Sequence, residues 1–125
     1  MKKIKVYEAA WLNNTLDRVM LVGAPIEDSK AIIKLCDEVE ATAESYQKMV
    51  KNAIQKLDLK EGETMTLAEI ENYLNEVLHD ERMREIEITP FAISAEAKAA
   101  ILSQSKVVRG ELRTIEEIVK KEENN

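Results

Sequence analysis

A histidine three residues after a glutamate on one helical face is the spacing with which di-iron carboxylate bundles hold metal, and Glu76 and His79 stand in that relation. Such a centre takes two pairs plus further carboxylates, whereas His79 is the only histidine in the chain. A monomer cannot complete the set, so Glu76 and His79 are read as a solvated helix end. A closed zinc site fails by the same count: it takes four Cys or His ligands, and this chain offers Cys36 and His79. A Ser-His-Asp arrangement needs a third residue to orient the base, and no spacing supplies one. No glycine-rich phosphate loop occurs, which leaves nucleotide binding without a sequence basis.

Carboxylates are the remaining candidates for chemistry. Asp37, Glu38, Glu40 and Glu44 fall close together in a helical stretch. All-helical nucleotide pyrophosphatases bind magnesium through a Glu-x-x-Glu motif and a later Glu-x-x-Asp, and neither stands here in that spacing. These acids are read instead as a water-facing row partnered by Lys34, Lys48 and Lys51. No catalytic residue, metal or cofactor is assigned, and an Mg-dependent pyrophosphatase is kept only as a third functional reading. Residues 58–87 hold ten acids against Lys60, Arg82 and Arg84, a local charge of −7 that exceeds the −6 of the whole chain. The functional reading of this segment is a patch that docks a basic partner, with Glu69, Glu76, Asp80, Glu81, Glu85 and Glu87 as the partner-binding residues. Its plain reading is a solubilising helix face.

Composition narrows the classes. Hydrophobic residues make up 45% and charged residues 34%, with three Gly and two Pro, so the chain reads as helical and globular rather than disordered or all-β. Its 125 residues suit a single domain over 1–125. The negative charge repels a phosphate backbone and argues against nucleic-acid partners. The single Cys36 cannot form an internal disulfide, which suits a reducing cytoplasm, and there it behaves as a small hydrophobe in a packing seam. Lys2, Lys3 and Lys5 precede no signal-type apolar run, and no stretch reaches the roughly 20 apolar residues of a membrane span. A soluble, cytoplasmic protein is the expectation.

The elements that would position these residues follow from periodicity. Residues 3–7 alternate like a half-buried strand, and 85–89 alternate again before stopping at Pro90, so the two predict a ribbon with Lys facing Glu across it. Trp11, Leu12, Leu16, Val19 and Met20 predict a first helix over about 8–22, closed by Gly23 in a left-handed conformation. Pro25 fits the first turn of a second helix over about 25–57, with Glu27 and Asp28 near its positive end. Its seam is Ile32, Cys36, Val39, Ala43, Tyr46, Val50, Ala53 and Leu57, widened by Ile33, Leu35, Met49 and Ile54. A linker over 58–63 leads to Thr66 and Glu69, a capping box for a third helix over 66–81 that folds back antiparallel onto the second. Ser94 caps a last helical region over 94–123, read either as one helix or as two with a break at Ser103-Gln104-Ser105 or Gly110, and 120–125 is a frayed tail.

The order of these features resembles a group of small phage and prophage proteins of unassigned function. The likeness rests on Lys34-Leu35-x-x-Glu38 in the Pro25-started helix, then Leu74-Asn75-Glu76-Val77-Leu78, Glu85-Ile86-Glu87-Ile88, and Ile93-Ser94 opening a helix. The tail over 107–123 is longer than in that group. The resemblance implies a viral or mobile-element origin and brings no catalytic residue. The function expected is a non-enzymatic interaction module that binds a host or viral protein. The alternative is a virion component or assembly chaperone that forms homo-oligomers through the long helix.

Overall fold

The structure, a computed structural model, describes residues 1–57 and 62–121. Two strands and six helices follow in the order β1 (Lys2–Lys5), α1 (Val6–Leu16), α2 (Ile26–Gln55), α3 (Leu67–Val77), α4 (His79–Met83), β2 (Glu85–Ile88), α5 (Ala95–Gln104) and α6 (Arg109–Val119). The chain is therefore mainly helical, with a two-stranded antiparallel sheet beside one long helix. Most of the predicted linker, residues 58–61, and most of the predicted frayed tail, residues 122–125, lie outside the described residues.

α2 is the frame. Pro25 precedes its first turn, Glu27 and Asp28 lie at its positive end, and no Gly or Pro interrupts it before Gln55. Its 30 residues make a rod of about 45 Å. The buried edge runs Asp28, Ile32, Leu35, Val39, Ala43, Tyr46 and Ala53. This drifts from the predicted seam: Leu35 is fully buried, while Cys36, Val50 and Leu57 are half-buried. Ile33, Met49 and Ile54, expected to widen the stripe, are exposed.

β1 pairs with β2 in the register Lys2↔Ile88, Lys3↔Glu87, Ile4↔Ile86 and Lys5↔Glu85, so the Lys and Glu residues do face each other, with 4.0 Å between Lys5 Nζ and Glu85 Oε2. Ile4 and Ile88 turn inward and are buried. The strand is shorter than predicted, because Val6 and Tyr7 already belong to α1. Glu8 makes that abrupt start workable by accepting the Lys5 backbone N–H at 2.9 Å, which satisfies one of the donors a helix start leaves open.

The first helix also ends early, at Leu16 rather than near Val22. Past Leu16 the chain tightens into turns, with Arg18 N–H donating to Thr15 O at 3.0 Å and Val19 N–H to Leu16 O at 3.1 Å, and the Met20 backbone is then taken up by a distant residue. Met20 N–H donates to Ser105 Oγ at 2.6 Å, Ser105 Oγ donates to Met20 O at 3.3 Å, and Arg18 reaches Lys106 O at 2.9 Å. Gly23 has φ +86°, the left-handed conformation its position called for, though it closes a turn in this loop rather than the helix itself.

After the tip of the rod the chain returns along α2, antiparallel to it, held by four polar rungs. Tyr73 Oη donates to Ala53 O at 3.0 Å, and Arg82 Nη1 donates to Tyr46 Oη at 3.2 Å. Thr89 donates through N–H and Oγ1 to the Glu38 carboxylate, and Ser94 does the same to Asp28. The predicted hairpin of α2 and α3 thus exists, yet α1 is the more extensive neighbour of α2, and α3 buries no residue fully. The predicted third helix breaks at Leu78 (φ −107°, ψ 16°) into α3 and α4.

The final region is two helices. Gly110 lies inside α6, and the interruption falls at 105–108, where Ser105 is drawn to Met20 and Val107 enters the core. The core itself gathers at the basal half of the rod: Ile4, Leu12, Ile32, Leu35, Val39, Ile88, Ile101, Leu112, Ile115 and Val119 pack there.

Candidate functional site

The six acids read as partner-binding residues are spread along the returning chain and differ in how free they are. Glu69 completes a capping box with Thr66, accepting its N–H at 3.5 Å and its hydroxyl at 3.1 Å. Glu81 pairs with Arg84 at 2.8 Å, Glu85 lies opposite Lys5, and Glu87 lies opposite Lys3. Glu76 and Asp80 are exposed, as is the neighbouring Glu71. The negative charge is therefore concentrated along α3 and the start of α4, where no basic residue is interleaved before Arg82.

The acids of α2 do not form one water-facing row. Glu38 is half-buried and spends its carboxylate on Thr89, accepting N–H at 3.1 and 3.2 Å and Oγ1 at 2.9 Å. Asp37, Glu40 and Glu44 are exposed, and the ion pairs among the described residues lie elsewhere than at Lys34, Lys48 and Lys51. His79 opens α4 on the surface. Among the described residues no three His, Cys, Asp or Glu side chains converge so as to hold a metal ion. Burial, then the charges of Asp37, Asp17 and Glu40, push the half-buried Cys36 thiol above its ordinary value, which lowers its thiolate fraction at neutral pH.

A concavity lies between α1, α4 and α6. It is a cleft of about 650 Å³ lined by Tyr7, Glu8, Trp11, Arg82, Arg113 and Glu117, with Thr114 and Ile118 completing it. Tyr7 and Trp11 stand four residues apart on α1 and so share a face; Trp11 rests on the core and Ile118 belongs to it. The Arg82 guanidinium lies over the Tyr7 ring, 5.3 Å from its centroid, while its Nη1 donates to Tyr46. The break at Leu78 orients α4 so that this one side chain meets both tyrosines.

The charges of the cleft are unequally spent. Glu8 is committed to the Lys5 N–H. Glu117 pairs with Lys120 at 2.8 Å, and that hydrogen bond holds its carboxyl below the usual carboxylate range. Arg113 is exposed and has no hydrogen bond or ion pair among the described residues. With Lys120 set against Glu117, the cleft carries two guanidinium groups against Glu8, an excess of one positive charge on an aromatic floor, inside a chain whose overall charge is −6.

A long-range bidentate pair ties the loop after α1 to α6. Arg18 holds Glu111 in a bidentate pair, Nη1 to Oε1 at 3.1 Å and Nη2 to Oε2, and Glu111 Oε1 also accepts the Val108 N–H at 3.1 Å. The Arg18 hydrogen bond first, then the Val108 N–H, holds the Glu111 carboxyl below its ordinary value.

The chain matches no protein-family model, no curated protein and no solved structure. No helix among the described residues is long and apolar enough to cross a membrane. Sequence reading missed the cleft because its two arginines come from segments 31 positions apart. The one local signal was the Tyr7–Trp11 spacing, hidden by assigning Tyr7 to the strand.

Proposed function

We propose that this chain is a non-enzymatic helical interaction module whose α2–α3 hairpin docks a partner protein carrying basic residues around an apolar patch. The observation that carries this reading is α3 itself. Ile70, Tyr73, Leu74, Val77 and Leu78 form a continuous apolar arc, yet none is buried, and Leu67 and Val77 are 80% and 55% exposed. Covering one such side chain fully is worth about 1.5–3 kcal/mol, so an amphipathic helix left open at this level has much to gain from a partner. Glu69, Glu71 and Glu76 flank the arc, and such charges favour a basic counterpart and speed its encounter. On the resemblance to small phage and prophage proteins, the setting is the cytoplasm of a host and the partner a host or viral protein.

The test compares the chain with a Leu67→Lys, Val77→Lys double variant, both sites being too exposed to matter for folding. Capture from host lysate at low salt should return a stoichiometric basic partner for the parent only, and high salt should release it. Equal recovery by both chains, or turnover of a small molecule by the purified protein, would refute the reading.

A second reading, self-assembly through the long helix in a virion or assembly role, is favoured by Ile26 and Ile33. They stand seven residues apart on one face of α2 and are 68% and 54% exposed. Light scattering that finds a strict monomer at high concentration removes it.

A further inference from the structure

We infer that the cleft between α1, α4 and α6 binds a small organic anion with a flat aromatic body, such as an aromatic carboxylate, sulfonate or phosphate ester. This inference is independent of the hairpin surface. The floor supplies the apolar half of the recognition: Tyr7 and Trp11 line the cleft from one side of α1, and Ile118 lines it from α6. A volume of about 650 Å³ is within the range of small-molecule sites, which are typically apolar hollows carrying a few fixed polar groups.

The charged half follows from what each ionic group already does. Glu117 is neutralised by its ion pair with Lys120, whereas Glu8 accepts the neutral Lys5 N–H and keeps its charge. Arg82 is held by the Tyr7 ring and Tyr46 Oη, contacts that orient the guanidinium without neutralising it. Arg113 has no partner of its own among the described residues. With Lys120 set against Glu117, two guanidinium groups stand against the one carboxylate of Glu8, an excess of one positive charge over an aromatic floor that favours anions over cations and neutral rings. The guanidinium groups provide planar donor sets for a carboxylate, sulfonate or phosphate.

Trp11 is the only tryptophan, so its emission reports occupancy directly. The probe is anilinonaphthalene sulfonate, compared with phenylnaphthylamine, which has a matching aromatic body without the sulfonate. One equivalent of the sulfonate should quench Trp11 saturably with energy transfer to the dye. The neutral compound and the Arg113→Gln variant should each bind roughly tenfold more weakly, the equivalent of about 1.4 kcal/mol, and Arg113→Lys should recover part of the loss. Naphthalene carboxylate should displace the dye. Equal affinity for the neutral compound, binding of several dye molecules without quenching of Trp11, or unchanged affinity in Arg113→Gln would overturn the assignment. So would displacement by an acidic peptide under conditions where naphthalene carboxylate displaces nothing.

Discussion

Replacing Asp28 with alanine should destabilise the protein far more than a change in the first turn of a helix ordinarily does. Asp28 is 8% exposed, and its two oxygens accept the Ser94 N–H and the Ser94 hydroxyl, each at 2.9 Å. The same hydroxyl oxygen accepts the Ala97 N–H at 3.1 Å, so the carboxylate on α2 fixes the residue that caps α5. Each hydrogen bond to a charged acceptor contributes about 1.5–3 kcal/mol. Against that, Ser94 is exposed enough to recruit water, and deleting a buried carboxylate recovers part of its desolvation cost. A further contribution of about 0.3–1 kcal/mol disappears with the anion at the positive end of α2. The net expectation is a loss of roughly 2–3 kcal/mol.

Urea unfolding followed by circular dichroism and Trp11 emission measures this directly. With a slope of about 1–3 kcal/mol per molar urea, the midpoint should fall by about 1 M. Asp28→Asn keeps one acceptor and should lose about half as much. A double-mutant cycle with Ser94→Ala isolates the hydroxyl link, since the backbone N–H remains, and should give a coupling of about 1 kcal/mol. A loss below about 0.5 kcal/mol, the range of ordinary surface changes, would show that the Asp28–Ser94 link is not holding α5 to the rod.

Leu12→Ala, at a fully buried core position, should cost about 2–5 kcal/mol, whereas Leu67→Ala on the open face of α3 should stay within about 0.5 kcal/mol; chemical unfolding of the two compares them. Glu111 titrates lower in the folded chain than when unfolded, so its pairing with Arg18 stabilises above the ordinary carboxylate value of about 4.3 and is lost as pH falls through the depressed folded value. Between about pH 5 and pH 3, Glu111→Gln should therefore lose less stability than the parent, and parallel curves would refute the pairing. The raised thiol value of Cys36 predicts alkylation by iodoacetamide at mildly alkaline pH slower than that of a model thiol, with urea removing the difference. Glu38→Ala should lower stability by about 1–2.5 kcal/mol, read by thermal unfolding, because Thr89 loses the acceptor of both its donors at the end of β2.

Local signals in the sequence were readable where a residue's own backbone chemistry decides the outcome. Gly23 takes the positive φ, Pro25 opens the rod, Thr66 and Glu69 close on each other, and Ser94 caps α5. The ribbon was readable too, because both strands alternate and their opposite charges suit facing positions, while its register comes from the structure. Features made by distant residues were not readable. The periodicity of Val19 and Met20 is helical, yet past Leu16 the chain tightens into turns and Ser105 takes up the Met20 backbone from 85 positions away. Asp28 looked like a dipole-favouring surface acid, and only the approach of Ser94 makes it a buried acceptor. Gly110 looked like a breaker, but four residues of α6, Leu112, Ile115, Ile118 and Val119, bury enough apolar surface to carry it. The cleft has the same character: neither Arg82 nor Arg113 is unusual until the turn at Leu78 brings α4 over α1.

The rungs between the rod and the returning chain are unevenly backed. At Asp28 and Glu38 they sit over Ile32, Leu35 and Val39, inside the main core, whereas at Ala53 only Tyr73 and the half-covered α3 stand behind them. Amide hydrogens should accordingly exchange in a gradient, fastest toward Gln55 and Leu67 and slowest near Leu35. The far end should open while the base stays locked, so substitutions there are absorbed without endangering the rest of the molecule.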